Sequence, residues 1–454
     1  MSATLDAPAV ASIELAERYA AIRGRSVGLA VPLSPEDAML QSMPDTSPAK
    51  WHLAHTTWFF EQFVLGALPD YAPLHAGWHY LFNSYYNSVG PMHARTQRGM
   101  LSRPSLDDVL AYRMQVDARM ARGFERGDFE SQAQQCIALG LQHEQQHQEL
   151  LLTDIKHALW CNPLKPAYRD DLAQPIGTNA TALRWIDGAE GIVEIGAPAW
   201  PGAPSMDRCA SAQFAFDSES PRHRVLLQRH ALASRPVTNA EYRAFIDDDG
   251  YRTPQHWLSA AWSRVQAEAW HAPLYWDEEH AHEFTLGGMR AIDPNAPAAH
   301  VSYFEADAFA RWAGARLPTE AEWEHAAAAL SVRGNFVEAN RLHPAADVEA
   351  DNDLRRTDLQ QTNPRRTDLQ QTELKQMFGD VWEWTASAYA PYPGFRALPG
   401  SLGEYNGKFM CGQQVLRGGS CVSPADHLRA SYRNFFYPPD RWQFSGVRLA
   451  KDRP

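Results

Sequence analysis

Two unlike halves are predicted from this sequence: an all-α bundle first, and then an α+β half with much irregular structure. Three observations carry that prediction. Up to about residue 160, apolar residues recur at three- and four-residue steps in long stretches without Pro, the pattern of amphipathic helices. Between Cys161 and Ala182 the composition turns to Asn, Pro, Gly, Asp and Thr (Asn162-Pro163, Pro166, Pro175-Ile176-Gly177), which reads as a linker. Beyond it the periodicity shortens, and Gly-, Trp- and Asn-rich loops separate short apolar runs. The expected division is residues 1–165, a linker at 166–185, and residues 186–454.

The first helix is expected over Ile13–Leu29, with Leu15, Tyr19 and Ile22 on one side. The second opens at Ser47-Pro48, with Ser as N-cap and Pro at the first helical position, and runs through Trp51–Phe60 to about Leu65. The third opens at Ser105, with Asp108 completing a capping box and Val109, Tyr112, Val116 and Met120 as its apolar stripe; it ends near Phe124. The fourth covers about Gln132–Trp160. Four helices with one long connection make a four-helix bundle, a fold that builds metal sites from side chains on facing helices.

In the second half, Val193–Gly196 and Arg224–Leu227 read as strands. Helices are expected at Asn239–Asp247, capped by Thr238, at Ser302–Ala313, and just after Pro318-Thr319. Arg355–Thr362 recurs as Arg365–Thr372. The repeat is polar, with too little apolar content for a core, and is read as a solvated loop expansion without a catalytic role.

The chain has 454 residues, which suits two domains or three, and a net charge of -12, which argues against a nucleic-acid partner. No run of about 18 apolar residues suggests a membrane span, and Met1–Ile13 lacks the basic-then-apolar pattern of a secretory signal. The five Cys are scattered, odd in number and free of CxxC spacing, as expected of thiols in a reducing cytoplasm.

The chemistry concentrates in the fourth helix. His143 and His147 are four apart and share a face, so both imidazoles can address one metal ion; the alternative is a polar helix face that carries two His. Cys136, Gly140, Leu150 and Asp154 continue that stripe, mostly small or apolar, which points the pair inward. The second helix offers His52 and His55, three apart; either can supply a third ligand, and His55 is favoured by its place among Trp51, Trp58 and Phe59. The connection from His79 to Ser88 carries Tyr85 and Tyr86, which are phenolic donors or loop packing. Arg95 and Arg98 are suited to clamp a carboxylate or to sit solvated at the surface.

His143-x-x-x-His147-x-Glu149, together with Leu53-Ala54-His55, resembles the DinB-type bundle of the sulfoxide synthases of ergothioneine biosynthesis. The second half resembles the formylglycine-generating-enzyme (sulfatase-modifying-factor) fold, a C-type-lectin-like domain that would complete the substrate pocket. The matching motifs are His300–Tyr303, Arg316–Glu324, Gly379–Thr385, Arg417–Ser420 and Gly446–Leu449.

The resemblance implies mononuclear non-haem Fe(II) held by His55, His143 and His147, with Glu149 outside the ligand set. It implies hercynine, a thiol donor and O₂ as substrates, with sulfur oxidised and joined to imidazole C2. Gln146, Asn434 and Phe435 match residues that hold hercynine. Tyr85 and Tyr86 match a tyrosine pair that supplies a proton, and Arg95 and Arg98 a pair that meets the carboxylates of the thiol. Phe436 stands where branches using γ-glutamylcysteine carry an acid, so cysteine is the expected donor. The paired Cys of formylglycine-generating enzymes is missing near Ser431–Arg433, which argues against sulfatase activation. The sister selenoneine synthases, which take selenium from a selenosugar, match equally. A zinc-dependent thiol transferase of the wider DinB type is a further alternative.

Overall fold

A computed structural model describes residues 7–172, 180–199, 214–346 and 373–454. Of these, residues 7–168, 214 and 398–405 form one compact unit and the remainder a second. The duplicated segment 355–372 lies outside the described residues.

The first unit is built on helices α1 (Ala7–Ala30), α2 (Ala49–Phe63), α4 (Leu106–Arg126) and α5 (Ser131–Cys161), with a short α3 (Trp78–Phe82) between α2 and α4. Helix α2 packs on both α4 and α5, and α1 on α5 and α4. The expected α4 stripe is the buried one: Val109, Tyr112, Val116 and Met120 are all sealed. Ser105 caps α4 in a reciprocal box with Asp108.

Three details differ from expectation. Helix α1 begins at Ala7, six residues earlier than Ile13. Helix α2 begins at Ala49, with Pro48 in the capping position. Ser47 Oγ instead accepts from Arg98 at 2.9 Å, and its backbone N–H donates to Asp154 of α5 at 2.8 Å, so tertiary partners engage the residue expected to cap. Part of the connection taken as loop is helix α3, where Trp78 packs edge-on against Tyr112 at 5.0 Å and Phe82 is buried.

One carboxylate knits the bundle. Glu144, on the α5 face away from His143, accepts from Arg23 (2.9 Å) and Ser26 (2.6 Å) of α1 and from Arg113 of α4. Arg23 also reaches Thr57 of α2, at 3.0 Å. Burial by itself would push the Glu144 carboxyl up; Arg113, Arg23 and Ser26 outweigh it and hold it down at about 2. The rotation of α5 about its axis is thereby set, with Glu144 on the α1 and α4 side.

The second unit holds short strands between long connections. Strands β1 (Trp185–Asp187), β4 (His230–Ala233) and β11 (Ala450–Asp452) form one antiparallel sheet, with Ile186 and Ala450 both opposite Leu232. Strands β10 (Ser445–Gly446), β7 (Trp382–Ala388), β8 (Gln414–Arg417) and β9 (Asn434–Phe436) form another; β10 runs parallel to β7 and the other pairs are antiparallel. Strands β2 (Gly191–Ile195) and β3 (His223–Leu227) pair as a ribbon, as do β5 (His282–Thr285) and β6 (Gly288–Ala291).

Helices α6 (Asn239–Asp247), α8 (Tyr303–Trp312) and α9 (Glu320–Ala327) open on capping boxes from Thr238, as expected, and from Ser302 and Thr319. Helix α7 (Ser259–Glu268) and the β5–β6 ribbon are elements that the sequence pattern did not single out. The recurring motifs of this half converge on buried ion pairs. Glu383 of β7 accepts from Arg448 at 2.8 Å and from the Trp323 indole at 2.6 Å. Arg417 of β8 reaches Glu320 and Glu324 of α9, at 3.1 and 2.9 Å.

Candidate metal centre

The site is built where α2 and α5 cross closely. Gly140 permits the approach: a Cβ there would lie 2.7 Å from ring carbons of both Phe59 and Phe60. One turn on, His143 comes within 5.1 Å of the Phe59 ring, centroid to centroid. His55 of α2 and His143 and His147 of α5 each present a nitrogen, all within 4.8 Å of one another. His52, the alternative on α2, lies outside that cluster, and so does Glu149, which is buried nearby on α5.

Hydrogen bonds define which nitrogens are free to bind. His55 Nδ1 is 2.6 Å from the Phe82 carbonyl, an acceptor only, so Nδ1 carries the proton and Nε2 keeps its lone pair. That Nε2 lies 3.2 Å from His143 Nε2. His143 Nδ1 is buried with no hydrogen-bond partner among the described residues. Two imidazole nitrogens bound at ~2.1 Å to one ion, at angles between square and tetrahedral, lie roughly 3.0–3.4 Å apart. The His55–His143 spacing falls inside that window.

Burial holds all three imidazoles well below their ordinary range, His143 at about 3, and for His55 and His147 the neighbouring His143 adds to the effect. Neutral imidazoles with lone pairs converging at one point fit a divalent transition metal such as iron or zinc, and three protein ligands leave coordination positions open.

An aromatic and cationic wall surrounds the cluster. Trp51 stacks on His55 at 4.6 Å, and the Arg98 guanidinium lies 3.4 Å above Trp51. Arg98 is buried and donates to Ser47 Oγ (2.9 Å) and Ser84 Oγ (3.0 Å). Arg95 is exposed and donates to the Asp45 carbonyl, so the two arginines have different settings. The tyrosines diverge as well. Tyr85 faces His55 at 6.4 Å, while Tyr86 is fully buried against Phe63 at 5.0 Å and Trp58 at 5.8 Å. Burial pushes both phenols well above their usual value.

Gln146 lies on α5 between the two His, partly exposed. Asn434, Phe435 and Phe436 form β9 of the second unit. Phe435 stacks on Tyr389 at 4.1 Å, and Phe436 meets Trp442 edge-on at 5.6 Å.

Tyr405 was not anticipated. It sits 5.2 Å from His143 and 6.0 Å from Tyr85, in a late segment that clusters with the first unit. Beside it, Glu404 accepts from the backbone N–H groups of Asn87 and Ser88, both at 2.9 Å. No local pattern could announce a neighbour more than 250 positions away in the chain.

Residues 18–151 match the DinB superfamily, and residues 198–453 the sulfatase-modifying factor enzyme 1-like domain. A hercynine oxygenase of Mycolicibacterium thermoresistibile is 34% identical over 97% of this chain and 95% of its own. That of Mycolicibacterium smegmatis is 32% identical over 98% and 100%. The chain belongs to the family of these hercynine oxygenases. A formylglycine-generating enzyme of Streptomyces coelicolor is 30% identical, but over only 53% of this chain and 83% of its own. The family likeness thus spans both halves, whereas the likeness to formylglycine generation stops at one. No described helix is long and apolar enough to cross a membrane.

Proposed function

We propose that this protein is an Fe(II)-dependent oxidoreductase that joins sulfur to C2 of the hercynine imidazole, with cysteine as donor, in ergothioneine biosynthesis. The observation that carries the reading is the three-His cluster of α2 and α5 in a chain whose relatives named hercynine oxygenase align over nearly its whole length.

The reaction balances as follows. The imidazole C2–H and the thiol S–H bonds break, a C–S bond and a sulfoxide S–O bond form, and the second oxygen atom of O₂ leaves as water, with four electrons passing to O₂. Bound iron would supply activation of O₂ and a common point at which thiolate and imidazole meet. His55, His143 and His147 hold it as neutral donors. Tyr85 delivers a proton from its hydroxyl as oxygen is reduced, a role its place beside His55 supports; Tyr86, packed on Phe63 and Trp58, supports that ring from behind. Arg98 and Arg95 meet the donor carboxylate.

The family resemblance assigns Gln146, Asn434 and Phe435 to hercynine, and an aromatic face suits its trimethylammonium group, which has no hydrogen-bond donors. Position 436 contributes a phenyl ring and no carboxylate, which favours a donor without a second ammonium near it. That property suits cysteine, and equally a selenosugar, in which case the product is a C–Se bond.

Anaerobic loading with Fe(II), followed by hercynine, O₂ and either cysteine or a selenosugar, tests the reading by mass spectrometry of the product. A hercynine–cysteine sulfoxide is expected. A product from the selenosugar alone reassigns the donor, thiol transfer without O₂ points to zinc-type Lewis-acid chemistry, and no product from any donor overturns the proposal.

A further inference from the structure

We propose that His52 and Asp154 form a positioning relay that fixes the tautomer and orientation of His147 as a metal ligand, an inference that rests on the metal-centre reading above. His52 stands on α2 three residues before His55 and is buried. Its Nδ1 lies 2.8 Å from His147 Nδ1, and its Nε2 lies 3.1 Å from Asp154 Oδ2. Asp154 is on α5, two turns beyond His147, and its Oδ2 also accepts the Ser47 backbone N–H at 2.8 Å. The three side chains thus run in a line from a buried carboxylate to a ligand.

Donor and acceptor rules assign the protons along that line. An ionised carboxylate only accepts, so His52 Nε2 carries a hydrogen. In a neutral imidazole the other nitrogen is then an acceptor, so His52 Nδ1 takes a hydrogen bond from His147 Nδ1–H. That leaves the lone pair of His147 on Nε2 and anchors its ring at the opposite edge. Metal-bound His residues usually give their second N–H to a carboxylate or a carbonyl directly. Here a second imidazole stands between ligand and carboxylate.

The relay also explains why His52 is not a ligand although it shares a helix face with His55: both of its nitrogens are engaged. His55 has a different backing, the neutral Phe82 carbonyl at 2.6 Å. The two ligands are therefore tuned unequally. His147 feels a carboxylate through one ring and is the more basic donor.

The test titrates the whole apo-protein with cobalt(II) without O₂, against a competing chelator, recording the d–d absorption and the thermal unfolding of the metal-free form. The variants are His52→Phe, His52→Gln and Asp154→Asn. The Gln amide keeps one acceptor for His147 and one donor for Asp154. Expected are a 10–100-fold weaker cobalt affinity and shifted d–d bands in His52→Phe and Asp154→Asn, on the order seen for groups behind metal ligands, with recovery of most of the affinity in His52→Gln.

Wild-type affinity and spectrum in His52→Phe overturn the relay, as does a loss in His52→Gln equal to that in His52→Phe. If His52→Phe does not fold, Asp154→Asn decides, and unchanged affinity there overturns it. A wild-type protein that binds no cobalt defeats the metal-centre reading itself, which is a different failure.

Discussion

The bundle and the second unit both bury charged and polar side chains, but for opposite ends. In the second unit, Glu383, Arg448 and Trp323 close on one another, as do Arg417, Glu320 and Glu324. Their distances are those of completed pairs, and the motifs that contain them hold a loop-rich fold together. In the bundle, Glu144 is closed in the same way, yet on the other face of α5 the three His converge with lone pairs inward and His143 Nδ1 has no partner among the described residues. Buried polarity that is satisfied serves the fold. A cluster of neutral donors that converge without an opposite charge, at a crossing of two helices, serves chemistry. The kind of group separates the two cases: in the second unit opposite charges meet each other, whereas at the α2–α5 crossing three like imidazoles turn their nitrogens on one another.

The largest expected effect comes from the open face. His143→Ala should abolish stoichiometric iron binding and all turnover while the far-ultraviolet circular dichroism stays helical; retained metal would place the centre elsewhere. The closed face should answer in stability instead. Glu383→Ala strands Arg448 and should destabilise the second unit by about 3–5 kcal/mol in denaturant unfolding, the usual cost of orphaning a buried charge, with Fe(II) affinity little changed.

Acid should reveal the closed pair of the bundle. The folded carboxyl of Glu144 is held at about 2, below its unfolded value of roughly 4.3. Its stabilisation is therefore fully present above about pH 4.3 and lost as pH falls through about 2. Helical signal followed against pH should show that loss, and Glu144→Gln should flatten the slope in this window while lowering stability at pH 7.

Gly140→Ala should have the smallest effect of the four. Forcing a methyl against Phe59 and Phe60 should cost roughly 1–3 kcal/mol by overpacking. Because α5 must back away from α2, metal affinity should fall further than stability does. Equal, small losses of both would show that the close crossing is not what brings His143 to His55.

Much of this could be read along the chain. The four-residue spacing of His143 and His147 puts both on one helix face whatever the fold does. The capping boxes at Ser105, Thr238, Ser302 and Thr319 are local, made within four residues; those at Ser105 and Thr238 stand where a cap was expected. The Ser47 cap failed for the converse reason: its side-chain oxygen is taken by Arg98, a donor 51 positions away in sequence.

Tertiary structure decided what depended on partners from elsewhere. The aromatic neighbours of His55 favoured it over His52 along the chain, but only the folded α2–α5 crossing puts His55 in the cluster and His52 against Asp154. Tyr85 and Tyr86 are adjacent and alike, and only packing against Phe63 and Trp58 separates them. Tyr405 enters the site through a segment with no local signal. A helix face follows from periodicity, which each sequence stretch contains in itself; the choice among residues on that face follows from steric fit and hydrogen-bond partners, which exist only once the chain has folded.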